Sequence, residues 1–400
     1  MVLPTLRPLA GRAPRFLTYG VAALLAVLTP SQGMSSTRRV PEDLPTIQGA
    51  LDASAPGDTV LVSPGTYTGQ GNRDITFHGY DVVIKSVDGP EHTIIDCQYA
   101  GRGFHLSRHE TRECLIDGFT IQNGYPTDFP PDGGAIYLGA SDPSIVDCRF
   151  IGNMAFAGGA IILMASSARI DRCLFWGNQT TYDEGGAIFY YAGSPEIIDC
   201  VIAHNSADRG GGYAILGMGL GIPTFRGCTI ACNTADRDGG GIFGSPSILE
   251  KCVVWGNESF DGYDEIYAVA DMYCCDVDTS GVAAGTVTYD DCIFTDPLFC
   301  DDWCTDASGL TLHADSPCLP ERSPCDQLIG ALGQGCGTPT PRGACCLSDQ
   351  SCRLGTETWC DDQDGRYIGD DVPCEPDPCT VNPVQVTSWG KIKSTFLPQR

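Results

Sequence analysis

Five segments of one pattern follow one another along the chain: PSIVDCRFIGN from Pro143, ARIDRCLFWGN from Ala168, PEIIDCVIAHN from Pro195, PTFRGCTIACN from Pro223 and PSILEKCVVWGN from Pro246. Their cysteines, Cys148, Cys173, Cys200, Cys228 and Cys252, are spaced by 25, 27, 28 and 24 residues. Each is followed five residues later by an asparagine: Asn153, Asn178, Asn205, Asn233 and Asn257. Between the units a run of glycines opens GGAIYL at Gly133, GGAIIL at Gly158, GGAIFY at Gly185, GGGYAI at Gly210 and GGGIFG at Gly239. A unit of this length reads as short strands of four to six residues joined by turns. It cannot bury a core alone and must stack on its neighbours.

The alternation is that of strands. The Cys and the residue two further on (Phe150, Phe175, Ile202, Ile230, Val254) share one side, which must be the interior. An apolar residue also stands three before the Cys in the first four units (Ile145, Ile170, Ile197, Phe225), with Ile248 read as its counterpart in the last, where one residue is inserted. A spacing of three breaks the two-residue period, so the chain bends there. Stacked in register, equivalent side chains sit about 4.8 Å apart. The asparagine amides then form a hydrogen-bonded ladder, and asparagine also tolerates the left-handed backbone of a sharp corner. The glycines supply positive φ or close approach and not a phosphate cradle, since no P-loop or dinucleotide fingerprint accompanies them. In-register thiols fall within the Cα range of a disulfide, but parallel neighbours point their Cβ vectors alike; buried free thiols are the favoured reading.

On these residues the chain resembles the right-handed parallel β-helix proteins of the pectin-lyase-like type. The resemblance covers residues 40–336, and the repeats look like those of secreted bacterial and polymorphic outer-membrane proteins. It implies an all-β, single-stranded parallel solenoid. VPEDLPTIQGALDASAPGDTVLVSPGTY from Val40 is similar to the opening of such domains, and Ile47, Ala50 and Leu51 form a short apolar helical face suited to capping the first coil. Around LIDGFTIQNG the pattern loosens, with Asn123 shifted by one residue. The DPLF, DSPC and IGALG stretches resemble C-terminal coils and a cap.

Cysteine use sets the compartment. The chain has 22 Cys and only 6 His, which suits an oxidising environment better than a large zinc inventory. Arg7, Arg12 and Arg15 precede the apolar run Phe16 to Leu28, so residues 1–33 read as a signal peptide; the run is shorter than the roughly 20 residues of a bilayer span. Its removal leaves 21 basic against 50 acidic residues, a net charge of −29. Such a surface repels nucleic acid and anionic lipid, leaving cations and neutral polymers as partners. The expected product is a monomer without a membrane span, secreted or held at a bacterial cell surface, where a polysaccharide or an envelope component is the partner. Fourteen of the 22 Cys lie from Cys274 onward, and residues 343–379 hold six of them, a disulfide-rich module with 15 conceivable pairings. The tail 380–400 has no acid and carries Lys391, Lys393 and Arg400, and reads as a sorting segment or a frayed end.

Chemistry, if present, sits at the turn between the Asn column and the glycines. That turn varies in length and holds Asp132, Asp183, Glu184, Asp208, Arg209, Asp236, Arg237 and Asp238. Variable loops on one face are where repeat proteins bind. Asp183, Glu184, Asp208, Asp236 and Asp238 are the candidate catalytic carboxylates, and Asp132, Arg209 and Arg237 the candidate ligand contacts. Rung spacing puts carboxylates near the separation of a retaining glycosidase pair, or near enough to share Ca²⁺, the one cofactor to consider. The competing reading is that Asp before Gly favours a turn and solvates a corner; Ala157 interrupts the acidic column. The G-H-G, R-I-K and D-P-H-D signatures of family enzymes are missing, and the KIK at Lys391 lies in the tail. The resemblance therefore implies non-catalytic carbohydrate or surface binding, with a polysaccharide lyase or glycoside hydrolase as the alternative. His105 and His109 flank no nucleophile and read as surface residues. Phe189, Tyr190, Tyr191 and Tyr213 stack on sugar rings if they face outward and pack in the core if they do not.

Overall fold

Each repeat closes into one coil whose every strand is paired by the coils before and after it. In one unit the strands are Ile161–Met164, Arg169–Asp171, Leu174–Trp176 and the two-residue Gln179–Thr180. The next unit supplies Ile188–Tyr190, Glu196–Ile198, Val201–Ala203 and Ser206–Ala207. They pair in parallel, with Ile161 opposite Ile188, Ile170 opposite Ile197, Phe175 opposite Ile202 and Gln179 opposite Ser206. Most strands span only three residues, shorter than the sequence suggests, because a corner follows each. The computed structural model describes residues 35–379 except 217–220, 284–286, 301–303, 306, 339–342, 349–350, 371 and 375–377. Residues 1–33, expected to be a signal peptide, and the tail 380–400 lie outside the described residues.

The interior is a set of files running along the solenoid. Cys148, Cys173, Cys200, Cys228 and Cys252 form one, all buried and all free thiols. Cys275 and Cys292 extend it: the N–H of Cys252 donates to Cys275 Sγ at 3.3 Å and that of Cys275 to Cys292 Sγ at 3.4 Å. Phe150, Phe175, Ile202, Ile230 and Val254 form the next, each fully buried, with Phe150 and Phe175 stacked at 4.7 Å. Each such side chain contributes about 1.5–3 kcal/mol by burial. The bend inferred from the three-residue spacing is a left-handed residue just before the Cys: Asp147, Arg172, Asp199, Gly227 and Lys251 all have positive φ. In the last unit Leu249, not Ile248, holds the apolar position, opposite Phe225 and fully buried. The extra residue lies upstream, in a bulge between Gly244 and Ser247 that merges two strands into Ile242–Glu250.

The asparagines form the ladder. Asn178 Oδ1 accepts from the backbone N–H and the side-chain amide of Asn153, both at 3.0 Å, and Asn205, Asn233 and Asn257 repeat this for the residue one coil earlier. The left-handed corner belongs to the residue before each Asn: Gly152, Gly177, His204, Cys232 and Gly256. Asn123 sits in that corner position, with φ 54°, and Gly124 takes the ladder place, its N–H donating to Asn153 Oδ1 at 2.8 Å. That is the one-residue shift. Both glycine roles are present. Gly133, Gly158, Gly185, Gly210 and Gly239 have φ between 62° and 74°, and a Cβ on Gly134, Gly159 or Gly186 would collide with a carbonyl oxygen of the next coil.

The first coil is covered by the helix Ile47–Asp52, which buries Ile47, Ala50 and Leu51, with Thr46 Oγ1 accepting from the Gly49 N–H. At the other end the chain leaves the coils and turns back over the outer face of the Cys-bearing strands. Leu312, Cys318 and Ile329 pack on Val253, Leu310 packs on Val201 and Ala231, and the N–H of Ala331 donates to Thr229 Oγ1 at 3.0 Å. Cys232–Cys304, Cys274–Cys325 and Cys300–Cys336 staple this strap. The module 343–379 has an antiparallel sheet of Gly343–Cys346, Cys352–Gly355 and Arg366–Asp370, and the pairing Cys345–Cys360, Cys346–Cys379 and Cys352–Cys374.

Candidate functional site

Backbone hydrogen bonds set the turn edge in order. The N–H groups of Gly133, Gly158, Gly185 and Gly210 donate to the carbonyls of Ala157, Glu184, Arg209 and Asp238. The residues before the glycines, Asp132, Ala157, Glu184, Arg209 and Asp238, therefore form a vertical file. A second file alongside it runs Asp183, Asp208, Arg237, joined by the N–H of Asp208 to the carbonyl of Asp183 and the N–H of Arg237 to the carbonyl of Asp208.

Charge alternates over Glu184, Arg209 and Asp238 of the first file. Arg209 lies between two acids of neighbouring coils, with Nη1 3.3 Å from Glu184 Oε1 and Nε 3.7 Å from Asp238 Oδ2. Its guanidinium stands 5.1 Å over the Phe243 ring. Arg237 Nε donates to Asp208 Oδ1 at 2.8 Å. Asp208 and Asp238 thus have arginine partners, and Asp236 is exposed. The carboxylates expected to work together divide into those with an arginine partner, Glu184, Asp208 and Asp238, and two beside them at one end without one among the described ion pairs, Asp132 and Asp183.

Asp132, Asp183 and Glu184 are held partly out of water. Burial pushes Asp132 up, helped by the charge of Asp183, and Asp132 Oδ1 is buried with no hydrogen-bond partner. Burial raises Glu184 as well, followed by the charge of Asp183. Asp183 is itself raised by burial and held back by hydrogen bonds from Glu184. The Arg209 hydrogen bond and charge oppose the rise at Glu184. Glu184 Oε2 is buried and no donor faces it. Beyond Asp132 lies a group that sequence did not single out. Arg102, with 3% of its side chain exposed, grips Asp128 with two bonds of 3.0 and 2.7 Å, meets His105 Nδ1 at 3.1 Å and donates to the Asp132 carbonyl at 3.2 Å. His105 lies on the outer side of its strand, half-buried against Tyr137; burial and then Arg102 lower its basicity.

Aromatic exposure differs from the sequence expectation. Tyr190 and Tyr213 are core residues, and Phe189 points out of the coil but is buried against Ile162 and Ala214; of the four candidates Tyr191 alone is exposed. The exposed rings are on the edge loops instead. Tyr182 is 80% exposed beside Asp183, its ring 6.3 Å from that of Phe156 on the neighbouring coil, and Phe129 and Phe260 are also exposed. Parity assigns faces within strands and says nothing of loop residues, which is why these were missed.

A family model for the right handed beta helix region matches residues 66–217, which include the first three Cys–Asn units and most of this edge. The chain is a right-handed parallel β-helix protein. A comparison with curated proteins finds none that matches it.

On this β-helix a concave feature lies away from the acidic edge. A groove of about 770 Å³ runs between the Cys-side corner and the strap, lined by Leu174, Val201, Ala331 and Leu332 with charged walls. Those walls are largely neutralised in place: Lys85 Nζ binds Asp117 Oδ2 at 2.6 Å, Arg172 holds Asp147 with bonds of 2.8 and 3.0 Å, and Arg149 pairs with Glu91. Among the described residues, the one group of three His, Cys, Asp or Glu ligand atoms within 4.8 Å of one another is His204, Cys232 and Cys304. No helix among the described residues is long and apolar enough to cross a membrane.

Proposed function

We propose that this β-helix protein is secreted or displayed at a cell surface and binds neutral glycan along its turn edge without cleaving it. The observation that carries this reading is the exposed Tyr182 and Phe156 pair, with Asp183 following Tyr182 in the chain. Aromatic faces receive the apolar C–H side of a sugar ring, and carboxyl oxygens with spare lone pairs receive its hydroxyls. A net charge of −26 disfavours uronate polymers and leaves neutral ones. Six disulfides support an oxidising compartment.

A second reading has its own observation. Asp183 and Glu184 are adjacent carboxyls that burial raises, glycoside hydrolysis uses a pair of carboxyls, and the same edge would then be a hydrolase or lyase site. The two are separated by passing the full chain over a panel of neutral and uronate glycans, with and without Ca²⁺, and measuring retention together with new reducing or unsaturated ends. Retention on neutral glycans without new ends supports binding. Release of ends that is lost in Glu184→Gln overturns it in favour of catalysis, and neither retention nor release overturns both.

A further inference from the structure

The corner file next to the asparagine ladder carries a histidine and a cysteine on adjacent coils, His204 and Cys232, where the other three Cys–Asn units have Gly152, Gly177 and Gly256. Stacking brings them together, and the strap adds Cys304, so that one ligand atom from each lies within 4.8 Å of the others. Cys232 and Cys304 form a disulfide with their Cα atoms 5.9 Å apart. The His204 ring is fixed against the Trp176 indole at 4.2 Å, and the Cys304 backbone hydrogen-bonds it. Its Nε2 is buried with no hydrogen-bond partner. Cys304 lines a cavity of about 260 Å³ bordered by Glu258, Asp264 and Ser280, which gives this corner access to solvent.

We propose that reduction of the Cys232–Cys304 bond turns this corner into a Cys₂His site for Zn²⁺. A dithiol reductant supplies the two electrons: it is oxidised to its own disulfide while the S–S bond breaks and each sulfur takes a proton. Zn²⁺ then displaces those two protons. It is held by two thiolates and the neutral His204 imidazole, and its fourth position faces water in the cavity. The fit is close, because Zn–S distances of about 2.3 Å at a tetrahedral metal set the two sulfurs about 3.8 Å apart, a small opening from bonded contact. A backbone bond that fixes the ring of a ligating histidine is also the usual supporting arrangement. The oxidised protein has no thiolate here and does not bind.

The test uses the full chain, reduced with dithiothreitol, desalted under nitrogen and titrated with Co²⁺ as a spectroscopic stand-in. The expected result is one Co²⁺ per chain with thiolate charge-transfer absorption in excess of that shown by Cys304→Ser, and affinity about tenfold weaker in His204→Ala. Thiols from the other disulfides contribute equally to all three proteins and cancel in the comparison. His204→Ala keeps the disulfide and so folds by the same route as the natural chain. Equal Co²⁺ uptake, spectrum and affinity in His204→Ala and the natural chain overturns the proposal, whatever the state of Cys304→Ser.

Discussion

Glu265 receives both the backbone N–H and the side-chain amide of Asn257, at 3.2 and 2.6 Å, so a carboxyl supplies at the last rung the acceptor that an asparagine supplies on the earlier ones. It is 2% exposed, and burial pushes it up to about 8. Asp276, fully buried and receiving the Cys318 thiol at 3.1 Å, is pushed up to about 7 by the same cause. In both cases the folded chain keeps a proton that the unfolded chain has released. Stability therefore falls as pH rises from about 4 to about 8 and levels off above that. Glu265→Gln removes the titration while keeping an acceptor, so the decline in Tm between pH 5 and 8 is expected to be shallower than in the natural chain. Parallel pH curves for the two proteins would show that Glu265 ionises freely.

Truncating a middle rung has a different signature. Asn205→Ala strips Asn178 of the acceptor for its N–H and its amide, and removes the donors that reach the Phe175 carbonyl and Asn233. Leaving two buried donors unmet costs about 2–4 kcal/mol, measurable as a lower denaturant midpoint. A loss below about 0.5 kcal/mol would mean the amides do not bond along the stack.

Two glycines a few residues apart should respond unequally. Gly159→Ala drives a Cβ into the Gly186 carbonyl oxygen of the next coil, and no flexible side chain is there to yield. Gly152→Ala meets nothing within 4 Å and bears only the left-handed backbone, a cost of about 1 kcal/mol. The expected outcome is a folded Gly152→Ala and a Gly159→Ala that fails to accumulate as soluble protein. Similar stability for the two would contradict the close approach of the coils.

Ten cysteines are free, nine of them buried, and burial raises the Cys173, Cys200, Cys228 and Cys252 thiols well above their ordinary range. Without reductant, an aromatic disulfide reagent is expected to titrate at most Cys292 in the native chain and all ten after denaturation. Fewer than ten would mean that part of the file had oxidised.

The repeat made the core legible, because equivalent residues two dozen positions apart must share an environment once the coils stack. Cys148, Phe150 and Asn153 were readable for that reason, and so was the cap formed by Ile47, Ala50 and Leu51. Ile248 was misassigned because an insertion upstream of it was taken to lie between it and Cys252. The site was less legible. Sequence placed Glu184 and Arg209 on one edge but could not show that Arg209 pairs with Glu184 and Asp238 and Arg237 with Asp208, since side-chain pairing depends on loop geometry. Arg102 carries no pattern at all: one buried cation in a stretch of irregular coil is visible only once Asp128 is seen against it.

The glycan reading is tested most directly by locating it. Affinity for the retained glycan is compared among the natural chain, Tyr182→Ala on the edge and Leu332→Arg, which fills the groove under the strap. The expected result is at least about a tenfold loss in Tyr182→Ala, of the size that removing one stacking ring produces, and natural affinity in Leu332→Arg. Full affinity in Tyr182→Ala, with the loss in Leu332→Arg instead, would contradict it and move the site to the groove.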